Sequence, residues 1–356
     1  MQSLLQFRAY RKRLRRRLVR FLVNGLIADH RPQFDAGKDP LPRRIVILRP
    51  NHRLGNTLML TPLLTELERC WPAAEVAIVS AGRAEAVFRH YHQVGQLFLL
   101  PHKIVRRPWF MLGLLQQIRR QQYDLVIEPV PDSQGARLLR RLVRARRILT
   151  VDDDAHNRAG LPQHMALRPV AILRHTSGQN ASSGVYPPLD LRLTREERMA
   201  GQQSLLAVSR GRWPADARVI GLYADANGSK RLPEGWWRAL ILNLQASRRT
   251  QYLIEVLAAD NKSRLPLALP QIFSGSIREL GGQLAALDVL VTGDCGIMHL
   301  AQAVGTPTIA IFRSSDLKTY RPYGPGAMAL LETEAVPEKV SRLLERAPTG
   351  GASAAL

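Results

Sequence analysis

The stretch Thr292-Gly-Asp-Cys-Gly-Ile-Met-His-Leu-Ala-Gln-Ala-Val-Gly-Thr-Pro307 has the residue types and spacing best suited to a chemical task. An apolar run ends at Thr292, a glycine-bounded turn carries Asp294, and a helix-forming sequence begins at once. Backbone N–H groups at Cys295 and Gly296 would then project from a helix N-terminus, where the helix dipole favours an anion such as a phosphate. Gly296 has no Cβ, so a phosphate can come close to the backbone. His299 stands about one turn further on and can face the same pocket. Gly305 ends the helix and Pro307 stops its extension.

Such a turn needs a strand before it and a helix after it, and the rest of the chain supplies that rhythm twice. Arg44 to Arg49 is an almost unbroken apolar run, as in a strand buried on both faces of a parallel sheet. A loop from Pro50 to Gly55 leads to a helix predicted from Asn56 to Arg69. Strands follow at 76–79, 96–99, 123–128 and 145–151, with helices at 84–90 and 109–120 between them. From Asp152 to Arg195 the rhythm breaks, and Gly, Ser, Asn and Pro crowd into 175–188. It restarts with strands at 218–224, 251–258, 288–292 and 308–312, and helices at 234–245, 277–287 and 297–304. The implied division is an N-terminal helix at 1–30, a Rossmann-like domain at 43–175 and a connection at 176–215. A second Rossmann-like domain at 216–330 and a C-terminal helix and tail at 331–356 complete it. Ligands of open α/β sheets bind beyond the carboxyl ends of the strands, so the chemistry belongs in those loops.

Composition narrows the classes. The chain has 356 residues, 46% hydrophobic and 22% charged, which is globular and long enough for two domains. Its two cysteines, Cys70 and Cys295, form no disulfide framework or zinc array. Walker A, GxGxxG, HExxH and GxSxG motifs are absent. Asp152, Asp153 and Asp154 read as a solvated acidic loop, with a divalent cation as the other reading. No apolar run reaches the roughly 20 residues that span a bilayer. Net charge is +22, and Arg8, Arg11, Lys12, Arg13, Arg15, Arg16, Arg17 and Arg20 lie in an acid-free first 20 residues. Leu14, Leu18, Phe21, Leu22 and Leu26 share one face of a helix there, so 1–30 reads as a basic amphipathic element suited to an anionic membrane surface. A second basic cluster comprises Arg137, Arg140, Arg141, Arg144, Arg146 and Arg147. Few aromatics are interleaved with these arginines and no nucleic-acid module is present, which argues against nucleic acid.

Three segments resemble glycosyltransferase family 9, the lipopolysaccharide heptosyltransferases. Asp294, Gly296, His299, Ala303, Gly305 and Pro307 fall in register with the family's D-[ST]-G-x-x-H-x-x-x-A-x-G-x-P pattern, with Cys295 in place of its Ser/Thr. Gly228 to Trp237 looks like the K-x-W-P-x-x-x-W segment, with Lys230 at the lysine, Leu232 for the tryptophan, and Pro233 kept. Arg49 to Leu64 looks like the first βα loop, with Gly55 and Pro62 in place and Asn56 where the family has an aspartate.

That resemblance implies a GT-B-like fold, two Rossmann-like parallel-sheet domains facing a central cleft. It implies an inverting transfer of heptose from ADP-heptose to the lipopolysaccharide inner core. Lys230, Asp294, Cys295, Gly296, His299 and Ser229 would bind the nucleotide-sugar donor. Arg49, Arg53 and Gly55 would hold the phosphorylated glycolipid acceptor. Asn56 stands at the catalytic-base position, yet an amide takes no proton at neutral pH. His52, in the same loop, is the candidate substitute base, with acceptor-phosphate ligand as its other role. Tyr320, Pro322, Tyr323 and Gly324 would carry a crossover helix back to the first domain. No cofactor is implied beyond the nucleotide sugar, and metal dependence stays open. The expected location is cytoplasmic, at the periphery of the inner membrane. Two alternatives fit the same residues: a catalytically degenerate glycolipid-binding or scaffold protein, and a transferase using another nucleotide sugar.

Overall fold

A computed structural model describes residues 31–101, 108–130, 133–151, 160–178, 184–209, 217–226, 228–247, 251–313 and 316–346. The amphipathic helix expected over 1–30 and the acidic triplet Asp152–Asp154 lie outside them. The first half is a parallel sheet in the order β3-β2-β1-β4-β5, formed by β1 (Arg44–Leu48), β2 (Glu75–Ala81), β3 (Val94–Leu100), β4 (Gln122–Glu128) and β5 (Arg144–Thr150). Helices α1 (Leu54–Leu58), α2 (Thr61–Cys70) and α3 (Ala84–Phe88) cover one face, and α4 (Pro108–Arg120) and α5 (Gln134–Leu142) cover the other. β1 lies mid-sheet, and Ile45 to Leu48 are buried on both faces, which is why its sequence reads as an unbroken apolar run.

One helix expected from Asn56 is in fact two. Pro62 sits in the first turn of α2 and has no N–H for the Leu58 carbonyl, so the helix breaks before it. The Thr61 hydroxyl donates to that carbonyl instead, at 2.7 Å.

The irregular middle of the chain also holds helices. α6 (Leu167–Thr176) packs on α2. α7 (Arg195–Val208) opens with a capping box between Thr194 and Glu197 and lies against α9 (Ile277–Ala285). Gly201 and Gly282 meet there backbone to backbone; a Cβ on Gly201 would stand 2.0 Å from the Gly282 carbonyl carbon.

The second sheet runs β11-β10-β9-β6-β7-β8, all parallel, from β6 (Arg218–Tyr223), β7 (Gln251–Val256), β8 (Gln271–Ile272), β9 (Val289–Gly293), β10 (Thr308–Phe312) and β11 (Ala327–Leu331). Helices α8 (Glu234–Gln245), α10 (Gly296–Ala303), α11 (Leu317–Tyr320) and α12 (Pro337–Arg346) complete the half. Gly305, at φ +88°, takes the left-handed conformation that ends α10. The final helix does not cross to the first half. Val340 and Leu344 of α12 pack with Trp237, Leu240 and Leu244 of α8, in the same half. The segment before β11 reaches across in its place. The Thr319 carbonyl accepts from the Met165 N–H at 3.0 Å, and the Tyr323 hydroxyl donates to the Pro187 carbonyl at 3.0 Å.

The two halves share one apolar core. Ile45, Leu58 and Leu63 of the first belong to the same buried cluster as Leu280, Leu284 and Leu300 of the second. Arg278 of α9 pins the junction: it donates to the carbonyls of Ala86 (3.0 Å), Leu191 (3.1 Å) and Arg192 (2.9 Å) and pairs with Glu197.

Candidate functional site

Both sheets present their carboxyl ends to the junction, and a cavity of about 610 Å³ lies between them. From the first half, His52, Leu54, Thr57, Gly82, Arg83 and Leu100 line it. From the second come Tyr223 at the end of β6, Leu257 and Ala259 after β7, and Ser274, Ile277 and Leu280 around the start of α9. Gly296 and Ile297 close the wall with the first turn of α10. No side-chain hydrogen bond caps that helix, whose N-cap Cys295 is extended at φ −153°. The amides of Ile297 and Met298 face the Cys295 thiol, and the helix N-terminus is turned to the cavity at Gly296. The cavity thus joins an apolar recess, a helix N-terminus and two basic side chains, His52 and Arg83. A molecule with a flat apolar group and an anionic group fits that combination.

The sequence-predicted residues do not all meet in one place. Gly296 and His52 line the cavity. Asp294, buried in the turn after β9, pairs with Lys230 at 2.5 Å, which joins the Gly228–Lys230 turn to the end of the central strand. Ser229 is exposed on that turn. Cys295 sits beside Thr292, with Oγ1 and Sγ 3.3 Å apart, and burial pushes its thiol up.

His299 does not open into the cavity as expected. It is 5% exposed and stacks against the first half, where a Cβ on Gly55 would stand 2.7 Å from its Cδ2. Three residues into α10, its side chain leaves the helix toward α1, and only a glycine at 55 leaves room for the ring. Burial pushes its pKa down to about 4, against the opposing pull of Asp294, so the imidazole is neutral near pH 7. The opening lies one turn away, at Gly296 and Ile297. The two motif loops therefore face each other and touch: a Cβ on Gly296 would be 3.6 Å from the Gly55 nitrogen.

Arg49 follows β1, buried at 5% exposure, with its N–H donating to the Val79 carbonyl at 2.8 Å. Among the described residues its guanidinium has no hydrogen-bond or ion-pair partner, and burial pushes its pKa down to about 10. Arg53 is exposed, and its N–H donates to Asn51 Oδ1 at 2.8 Å, which shapes the loop before α1. Asn56 is half-buried in α1. Arg49, Arg53 and Asn56 do not line the cavity. Among the described residues no group of three or more His, Cys, Asp and Glu could hold a metal ion.

Sequence reasoning missed most of the recess. Tyr223, Leu257, Ala259, Ser274, Ile277 and Leu280 carry no motif, and only their places at the ends of strands or the start of a helix could have marked them. Arg83 follows β2 in the same way. Asp260, which follows Ala259 in the loop after β7, is exposed and paired with Arg264 at 2.5 Å.

Known proteins share this architecture. The glycosyl transferase family 9 protein of Veillonella parvula DSM 2008 has a TM-score of 0.64 at 16% identity, over 91% of this chain and 93% of that one. E. coli heptosyltransferase WaaC with ADP has a TM-score of 0.62 at 20% identity, over 85% and 99%. E. coli ADP-heptose lps heptosyltransferase II has a TM-score of 0.60 at 15% identity, over 84% and 97%. These likenesses establish the GT-B-like fold of two Rossmann-like halves. A search of curated proteins finds no match. Residues 111–346 match the sequence model of glycosyltransferase family 9 (heptosyltransferase), well over half the chain. The protein therefore belongs to glycosyltransferase family 9 and is a glycosyltransferase.

Proposed function

We propose that the enzyme transfers heptose from ADP-heptose to the inner core of lipopolysaccharide with inversion at the anomeric carbon. The observation that carries this reading is the cavity in which an apolar recess meets the N-terminus of α10. The adenine lies among Tyr223, Leu257, Ala259 and Ile277. The diphosphate rests on the helix N-terminus at Gly296, with Lys230 held nearby by Asp294. WaaC is described with ADP and with ADP-2-deoxy-2-fluoro heptose, which supports this donor class.

In the reaction, an acceptor hydroxyl attacks the anomeric carbon on the face opposite the diphosphate. The bond from that carbon to the diphosphate oxygen breaks as ADP leaves. His52, exposed at the cavity, takes the hydroxyl proton, while Asn56 orients the acceptor. The N-terminus of α10 and Lys230 stabilise the negative charge that builds on the leaving diphosphate. Arg49 and Arg53 hold the anionic groups of the phosphorylated glycolipid. The protein works at the cytoplasmic face of the inner membrane, attached through residues 1–30; no helix among the described residues is long and apolar enough to cross a membrane.

The test is a calorimetric screen of ADP-, UDP- and GDP-sugars, followed by transfer to a deep-core acceptor. ADP-heptose should bind best and be turned over, and His52→Ala should remove the acidic limb of the kcat/KM profile. Tighter binding of a UDP- or GDP-sugar would overturn the donor assignment. Donor binding without turnover, with any acceptor tried, would favour the scaffold alternative.

A further inference from the structure

The outer face of the first half carries large apolar side chains in water. Trp109 is 83% exposed, Phe110 52% and Leu112 48%, all in the opening turns of α4, and Leu138 is 52% exposed on the adjoining α5. Inward residues of the same helices, Leu114, Ile118, Ala136 and Leu139, are buried against the sheet, so the helices already have their core contacts. A tryptophan and a phenylalanine left outside them form the kind of surface that marks an interaction site.

The charge around these residues identifies the partner. α4, α5 and β5 together hold eight arginines and neither Asp nor Glu; Arg140 pairs with Glu128 of β4 and Arg147 with Asp39. Arg137 and Arg141 stand beside Leu138 along α5, and Arg119 and Arg120 are exposed at the far end of α4. Aromatic and aliphatic side chains bordered by arginines match a bilayer interface, where rings sit at headgroup level and guanidinium groups meet lipid phosphates. The strongly cationic residues 1–30 are a poor occupant of a cationic face, because like charges would be brought together.

Position supports the same partner. Each helix starts at the carboxyl end of its preceding strand, so Trp109 and Phe110 lie at the cleft end of the sheet. The chain leaves residues 1–30 at the other end of these helices, where Arg31 donates to the carbonyls of Arg140 (2.6 Å) and Val143 (3.1 Å) at the end of α5, so the cleft-end aromatics are a separate contact from that attachment.

We infer that the α4–α5 face is a second membrane-docking surface, which seats Trp109, Phe110, Leu112 and Leu138 in the interface of an anionic bilayer with the cleft rim turned to the lipid. It rests on the membrane-bound reading of the acceptor but not on residues 1–30 or on the identity of the sugar. An acceptor anchored in that leaflet then reaches the cleft by lateral diffusion.

The experiment uses the full chain with vesicles of phosphatidylglycerol and phosphatidylethanolamine, and with pure phosphatidylcholine. Residues 1–30 contain no tryptophan, so quenching of tryptophan fluorescence by brominated lipid reports on the body of the protein. Quenching should appear on the anionic vesicles and fall away in Trp109→Phe, a variant that keeps the apolar ring and the binding. Trp109→Ser/Phe110→Ser/Leu112→Ser should weaken vesicle partitioning about 10-fold or more, with an unchanged Tm. Undiminished quenching in Trp109→Phe overturns the inference, as does equal partitioning on phosphatidylcholine. Vesicle binding with no tryptophan quenching assigns attachment to residues 1–30 alone: it sinks this surface and leaves the transferase reading intact. A concentration-dependent dimer abolished by the triple variant would show that the face binds a second copy instead.

Discussion

Arg49 offers the sharpest test of the acceptor side, because a buried cation without a partner should cost the fold something that a ligand can return. Its guanidinium is desolvated between the end of β1 and the second half, where nearby Tyr320 offsets only part of the effect. The drop from the ordinary arginine value to about 10 corresponds to about 3 kcal/mol against folding. The sign follows from linkage. A base with a depressed pKa in the fold is destabilising wherever both states are protonated, so the cost is complete at neutral pH and fades only as pH rises beyond about 10. Arg49→Met keeps most of the stem and discards the charge. Urea denaturation at pH 7 should show a gain of about 2 kcal/mol, allowing for imperfect packing of the thioether. The same variant should raise KM for the phosphorylated acceptor at least about 10-fold, as expected for loss of a charge-assisted hydrogen bond, and leave KM for the donor in place. A loss of stability in Arg49→Met would refute the reasoning, since it would reveal a native partner for the guanidinium. An unchanged acceptor KM would remove Arg49 from the binding site.

Three other perturbations address the junction and the donor turn. Gly55→Ala should cost about 1–3 kcal/mol through its clash with the His299 ring, and combining it with His299→Ala should restore part of the loss in a double-mutant cycle; simple additivity would mean that the two do not meet. The depressed His299 pKa makes the fold bind its proton more weakly than the unfolded chain. Stability should therefore decline as pH falls from about 6.5 toward about 4, with a shallower decline in His299→Gln; parallel pH profiles for the two proteins would contradict this. Lys230→Met should lower kcat/KM by about 10²-fold or more through weaker stabilisation of the leaving diphosphate, with the loss mainly in kcat. A pure KM effect would reduce the lysine to a ground-state contact.

The parts of this protein that could be read in its sequence are those governed by local pattern. The apolar run at Ile45–Leu48 announced a central parallel strand, and the Thr292–Pro307 spacing announced a strand end, a turn and a helix. What stayed hidden depends on distant neighbours. β11 is a short edge strand with half-exposed residues, so Ala327–Leu331 lacks the continuous apolar signature of β1. α7 keeps only Gly201 and Leu205 buried, and a helix that docks through glycine backbones shows almost no hydrophobic period. His299 has the spacing to face the anion, but Gly55, more than 200 positions away, draws its ring into the junction. The recess is assembled from ordinary apolar residues such as Leu257 and Ile277, and nothing but the converging strand ends distinguishes them.

The continuous core through Leu58, Leu280 and Leu300 bears on how substrate gets in. Halves that merely abut can swing apart at little cost, but prising these two open would wet a large apolar seam and pull Arg278 off the Ala86 carbonyl. Such a machine keeps its doorway standing rather than hinging the walls. Its pace would then be set by side chains at the threshold and by the departure of ADP, and its two sheets should melt together in a single calorimetric step.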